Sequence, residues 1–348
     1  MAYTTINKSS DYFNTKLYDG TGSVANVTGV GFQPDFTWIK RRNDTRSNFV
    51  TDAVRGAGKQ LKTNLTGTQT TYTGYLNAFL SDGFTLGTDG DSNATGGTYA
   101  SWNWKAGTTS GIATNGATTI TPGSYSFNQT SGMSIINYDG NNTAGAKVAH
   151  GLGATPDMMI VKAMNGGSIH WAVYHKDMGN THYMQFDTNA KLDDAGVWND
   201  TSPDNVNFTV GNSDKTNTVT YIAYCFADVQ GYSKFGSYVG NGSSDGTFVY
   251  TGMKPSFVMM KNASQSGKWL MMDSKRPTAA PGNPNNARLF ADVSNAESTN
   301  SNMIDMLSNG FKVRTSDTDH NASGDTNIYM AFAEVPLVGT NNVPATAR

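Results

Sequence analysis

The residues best suited to chemistry in this sequence lie in a few short stretches. Gly242-Ser243-Ser244-Asp245-Gly246 has the G-x-S-x-G spacing of a nucleophile elbow, which needs a strand before the serine and a helix after it to expose the hydroxyl on a sharp turn. Here the surroundings are turn formers, and the matching turns elsewhere in the chain carry no serine at that place, so the pentapeptide reads as a hairpin connection. His170, His175 and His182 lie near Asp177, and imidazoles with a carboxylate could hold a transition metal. Helical metalloprotease spacing is missing, which makes turn or surface positions the expectation. Asp89-Gly90-Asp91-Ser92-Asn93 and Asp317-Thr318-Asp319 alternate oxygen ligands as calcium loops do, without the terminal bidentate Glu. Asp-rich turns satisfy their own backbone in the same way, and no metal is assigned.

No pair of carboxylates recurs in a way that marks acid/base work, although the paired acids of glycoside hydrolysis can lie far apart in sequence. The expectation is a protein that is not an enzyme and needs no cofactor. Trp198, in Gly196-Val197-Trp198-Asn199-Asp200, sits among turn formers, where it could stack on a sugar or cover a loop. With His170 and His175 it forms the candidate binding set. Trp38, Trp102, Trp104 and Trp269 fall on hydrophobic runs and read as core.

Composition limits the elements that could position such residues. Of 348 residues only 15% are charged, against a typical value of about 25%, and 38 are glycine. That balance favours tight turns over helices. The net charge is -2 and the longest basic run is Lys40-Arg41-Arg42, so the basic footprint of a nucleic-acid partner is missing. No stretch approaches 18 apolar residues and the first residues lack a secretory pattern, which predicts a soluble chain made in the cytoplasm, without membrane insertion. The single cysteine, Cys225, lies in the apolar run Tyr221-Ile222-Ala223-Tyr224-Cys225-Phe226, reads as a small buried hydrophobe, and excludes an intrachain disulfide.

One pattern occurs three times. A Tyr-x-Gly turn stands at Tyr18-Asp19-Gly20, Tyr138-Asp139-Gly140 and Tyr238-Val239-Gly240, and each is followed by a proline, a hydrophobic run and a lysine: Pro34 to Lys40, Pro156 to Lys162 and Pro255 to Lys261. The runs Phe36-Thr37-Trp38-Ile39, Met158-Met159-Ile160-Val161 and Phe257-Val258-Met259-Met260 suit strands buried on both faces. Aromatic strands begin near Phe49, Trp171 and Trp269, and each copy closes on a strand carrying Trp102, Tyr224 or Phe332. Trp38, Ile160 and Met259 are expected at one equivalent core position, with Trp102, Tyr224 and Phe332 as further core. The three lysines are expected to end their strands at module edges with the ammonium in water.

These landmarks predict an all-β chain of three tandem antiparallel β-sandwich modules, jelly-roll or lectin-like. The expected segments are an arm at 1–17, repeats at 18–107, 132–235 and 236–335, a Thr/Gly/Ser-rich linker at 108–131 and a tail at 336–348. The best helix candidate is residues 301–308, of about two turns. Tyr3, Ile6, Tyr12, Phe13 and Leu17 place too much apolar surface in the arm for a free polar tail. They are expected to be buried in a groove between modules or on a neighbouring subunit as an assembly element; the alternative is an edge strand on the first module.

Taken together, Gly31-Phe32-Gln33-Pro34-Asp35-Phe36-Thr37-Trp38-Ile39-Lys40, Tyr221-Ile222-Ala223-Tyr224-Cys225-Phe226-Ala227 and Ile328-Tyr329-Met330-Ala331-Phe332-Ala333-Glu334 resemble the repeated β-modules of structural, tail-fibre-type proteins of marine tailed bacteriophages. The resemblance implies a virion protein with no catalytic motif to transfer. It points to a tail fibre or appendage touching the host surface, with other virion proteins, a homo-oligomer and a host surface glycan as expected partners. The alternatives are a decoration protein clamping capsid or tail subunits, and an envelope glycan depolymerase, for which no acidic cleft is found.

Overall fold

A computed structural model of the chain describes residues 3–186, 191–277, 282–339 and 344. The protein is all-β: short runs of β-branched and aromatic residues alternate with Gly, Asn and Asp turns, and every strand pair in its sheets is antiparallel among the described residues. One strand order recurs in three large sheets. The first runs Phe13–Asp19, Thr98–Trp104, Phe36–Arg41, Phe49–Asp52, Lys59–Lys62, Thr70–Thr71. The second runs Ser124–Asn128, Met133–Asp139, Thr220–Phe226, Met158–Ala163, Ala172–His175, and the third Ser233–Val239, Thr326–Pro336, Met253–Asn262, Leu270–Asp273, Leu289–Phe290. Each has a smaller sheet built on Ala25–Thr28 with Gly83–Leu86, Ala146–Ala149 with Asn207–Val210, or Phe248–Tyr250 with Gly310–Val313.

The recurring Tyr-x-Gly turn has a packing cause. Tyr18, Tyr138 and Tyr238 donate their hydroxyls to the carbonyls of Ser92 (2.9 Å), Thr216 (2.7 Å) and His320 (2.6 Å). The next residue is in each case a buried asparagine: Asn93, Asn217 or Asn321. Its side-chain oxygen accepts from the backbone of Thr21, Asn141 or Asn241, and its amide donates to Gly87, Gly211 or Thr315. These asparagines tie the opening turn to the loop before the closing strand, satisfying backbone groups that loops would otherwise bury unpaired. Glycine is needed in the turn because a Cβ at Gly20, Gly140 or Gly240 would stand 2.2, 2.3 or 2.3 Å from the facing backbone.

Alternation along the proline-led strands sends side chains into two different cores. Ile39, Met159 with Val161, and Val258 with Met260 face their own small sheet and fill three separate sandwich interiors. Trp38, Ile160 and Met259 face the other way, into one core shared by all three large sheets. Their cross-strand partners are Trp102, Tyr224 and Met330. Phe332 lies two residues further along the same face, opposite Phe257, so its counterparts are Trp104 and Phe226. Both faces of each large sheet are thus covered, which is why these strands read as unbroken apolar runs.

Several expectations are corrected. The first large sheet begins at Phe13 and not at residue 18, because Phe13–Asp19 pairs along its whole length with Thr98–Trp104. Part of the expected linker is strand: Ser124–Asn128 pairs with Met133–Asp139 at the edge of the second sheet. The helix candidate is the strand Ile304–Leu307, whose Ile304 and Met306 alternate into the third sandwich. The strands expected to begin at Trp171 and Trp269 start one residue later, at Ala172 and Leu270. Most of the tail at 336–348 lies outside the described residues.

Candidate binding sites and the junctions that position them

The shared core is closed by contacts that repeat around it. After the fourth strand of the first sheet, Asp52 and Arg55 form a buried ion pair at 2.5 Å. Both reach the second sheet's Tyr224: its hydroxyl donates to Asp52 Oδ2 (2.7 Å) and lies 3.2 Å from the Arg55 guanidinium. Asp273 and Arg276 hold the same positions on the third sheet, again at 2.5 Å; Asp273 accepts the indole N–H of Trp102 from the first (2.9 Å), and the Arg276 guanidinium lies over the Trp102 ring. On the second sheet the position belongs to His175, whose Nε2 lies 3.2 Å from the Tyr329 carbonyl of the third. Each sheet therefore grips the next one, cyclically.

A second set of contacts runs the opposite way. The residue just before Phe49–Asp52, Ala172–His175 or Leu270–Asp273 donates to carbonyls of the preceding sheet's module: Asn48 to Phe290 and Val293, Trp171 to Lys62, Trp269 to Gln185. The three repeat lysines are not at wetted edges: all three are fully buried, and Lys40 and Lys162 reach the preceding sheet's module. Lys40 donates to the carbonyls of Arg41 and Ser294, Lys162 to Thr66 and Ile169, Lys261 to Asn262 and Gln265. The strand ends that carry them lie inside the assembly of sheets. Burial lowers the pKa of Lys40 to about 8, and that of Lys261 likewise to about 8.

The sequence-predicted binding set is dispersed by this packing. Trp198 is 1% exposed, ends the short helix Ala195–Trp198 and meets Tyr174 edge-on, so it covers the second sandwich and offers no face to a sugar. His175 is buried in the junction just described, and His170 is half-buried in the loop that leads into the strand Ala172–His175. Among the described residues no group of His, Cys, Asp or Glu could hold a metal. Asp89 and Asp317 instead cap one-turn helices by accepting from the backbone of Asp91 and Asp319. Gly242-Ser243-Ser244-Asp245-Gly246 is a turn exposed except at Gly246, and the strand Phe248–Tyr250 follows it instead of a helix. No helix is long and apolar enough to cross a membrane among the described residues.

The arm is held within the chain. Ile6 and Phe13 enter the shared core, where Phe13 stacks on Phe332 at 5.0 Å and tilts on Trp104 at 4.9 Å. Tyr12 and Leu17 pack on the edge of that core, and Tyr3 donates to the Gly252 carbonyl (2.7 Å). The arm's apolar residues are thus buried between modules of their own chain, as one expectation had it, and Phe13–Asp19 is also the edge strand of the first sheet, as the alternative had it.

A residue that sequence reasoning passed over lines the larger of the open cavities. Asp35, only 6% exposed, faces a space of about 610 Å³ with Lys105, Tyr125, Ser124 and Ser126. Burial raises its carboxyl to about 6, against the lowering effect of the Ala106 N–H it accepts and of the Lys105 charge. The cue was present in the repeat: Asp157 stands at the same place after Pro156. A second cleft, of about 440 Å³, is lined by Tyr3, Gln230, Lys234 and Tyr250.

No curated protein matches this chain, and no solved structure does. The model of a domain of unknown function, DUF7483, matches residues 8–336. Spanning nearly every strand described above, that match shows that the chain belongs to the DUF7483 family.

Proposed function

We propose that this protein is a structural component of a tailed-bacteriophage particle, a tail fibre or related appendage that contacts the host surface through the outer parts of its sandwiches. The observation that carries this reading is the closed arrangement of three sheets on one core. It makes a stiff body with the three small sheets on its outside, and rigid frames displaying variable loops serve surface binding. In the third small sheet Phe248 and Tyr250 are 45% and 55% exposed on one face, and exposed aromatics of this kind suit stacking on glycans. The decoration-protein alternative relied on the arm as a clamp, and Ile6 and Phe13 are already buried in their own chain.

Gold-labelled antibodies against the purified protein test the proposal on intact particles. Label at the tail, together with slower adsorption when cells are first exposed to the protein, supports it. Label over the head lattice favours decoration and overturns host contact, and particles without label overturn both.

A further inference from the structure

The three copies differ at one place in a way that leaves a binding site open. In the second copy Asp157 is paired with Lys176 (2.8 Å), which also meets Asp228 (3.1 Å), and Lys234 reaches Asp228 at 2.5 Å. Backbone bonds identify the equivalent positions: Lys176 N–H donates to the Asp157 carbonyl and Ala53 N–H to the Asp35 carbonyl. Asp157 accepts the N–H of Asp228 just as Asp35 accepts that of Ala106. The first copy therefore keeps the buried acid but has alanine where the lysine and the second acid stand. The space left over Asp35 is the cavity of about 610 Å³. Burying a carboxylate without a close cation is costly. Lys105 lines the same cavity and its charge acts on Asp35, less strongly than burial does.

We propose that this cavity binds an amino sugar through its primary ammonium, which takes the place against Asp35 that Lys176 holds against Asp157. Tyr125 lines the cavity together with Thr109, Ser124 and Ser126, beside the apolar Ala53 and Val54. An aromatic face with several hydroxyls suits a pyranose, and an anionic group buried at one end selects the amine. The site stands on the cavity alone and does not depend on the virion reading. It is charged for cation binding above pH 6, where Asp35 is ionised; Lys105 and Asp52 are the other charged groups acting on it.

Titration calorimetry of the full chain with glucosamine, glucose and n-butylamine is the test. Glucosamine should bind at pH 7 at least about tenfold more tightly than glucose, and its affinity should fall about tenfold between pH 7 and pH 5 as Asp35 is protonated. Asp35→Asn, which keeps an acceptor for Ala106, should abolish the preference. Ala53→Lys should fill the cavity as in the second copy and abolish binding while the melting temperature is kept or raised. Equal affinity for glucose and glucosamine, unchanged binding in D35N, butylamine binding without glucosamine, or no binding at concentrations of order 10 mM would each overturn the proposal.

Discussion

Two of the junctions around the shared core and the remaining one solve the same problem with different chemistry. Where the first sheet meets the second, and the third meets the first, a buried Asp–Arg pair grips an aromatic side chain: Asp52 and Arg55 on Tyr224, Asp273 and Arg276 on Trp102. Where the second meets the third, a neutral imidazole holds a backbone carbonyl instead, that of Tyr329, and Met178 takes the arginine's place and packs on the core. Taking a charge pair out of water offsets most of its attraction, so closure does not require the pair. The junctions differ in covalent help. The second and third sheets are joined by a few residues between Phe226 and Ser233, whereas the third and first are far apart in sequence. That junction carries the densest polar contacts, with Glu297 bridging Arg42 and Arg276 at 2.8 Å each and Asn48, Thr63 and Lys40 all donating to residues 290–294. Polar specificity is concentrated where chain connectivity supplies least.

The largest effect should come from breaking a pair. Arg276→Ala leaves Asp273 buried without its cation and should cost about 3 to 5 kcal/mol by urea denaturation. Arg55→Ala should cost slightly less, since Arg276 also pairs with Glu297 and its loss takes a cation from two acids. Met178→Ala, at the same position of the other junction, should cost less than half as much, because Met178 is only partly buried. If all three cost the same, the two kinds of junction are energetically alike and the comparison fails. A transplant sharpens it: Asp52→His with Arg55→Met should stay within about 1.5 kcal/mol of the parent, whereas Asp52→His alone, with Arg55 left unpaired, should be the worse of the two. Below that in size, Trp171→Phe removes the indole donor to the Lys62 carbonyl and should cost about 1 kcal/mol, with Trp269→Phe close to it.

The all-β class and the buried runs were legible because both depend on local pattern. Strands covered on both faces must be apolar at every position, and Met158–Ala163 shows that directly. What the second face was buried against is a long-range property, and nothing near Trp38, Ile160 or Met259 announces that all three enter a single core. The same gap explains the lysines. Their spacing after the prolines was read correctly, but a strand end looks like an edge until the neighbouring sheet is known to cover it. Trp198 misled for a related reason: glycine and asparagine around it make the αL turn at Asn199 (φ 51°), and that turn folds the indole inward. Asp35 was missed as a site because its meaning lies in a difference between copies, lysine at 176 against alanine at 53, and such a difference needs the strand register before the positions can be matched.

The smallest effect concerns acid, and it separates the junctions by sign. Burial lowers the pKa of His175 below its ordinary value of 6.5, with the Tyr329 carbonyl and Asp177 acting weakly the other way. The unfolded chain therefore binds a proton below pH 6.5 that the folded junction refuses, so the stability this histidine contributes is complete above pH 6.5 and is lost as the pH falls toward its folded value. The slope can reach at most about 1.4 kcal/mol per pH unit for one proton. His150, lowered to about 4, and His320 act in the same direction. Asp35 and Asp292, both raised to about 6 by burial, oppose them, since the folded state holds protons there that the unfolded state releases down to pH 3.8. Whole-protein acid titration therefore mixes signs, and the junction must be isolated by difference. His175→Gln should lose stability less steeply than the parent between pH 6.5 and pH 5, while Met178→Leu, beside it and without a titrating group, should leave the slope unchanged. Parallel slopes for the parent and His175→Gln would mean that the imidazole is protonated in the folded junction, and the contrast between a charged and a neutral closure would be gone.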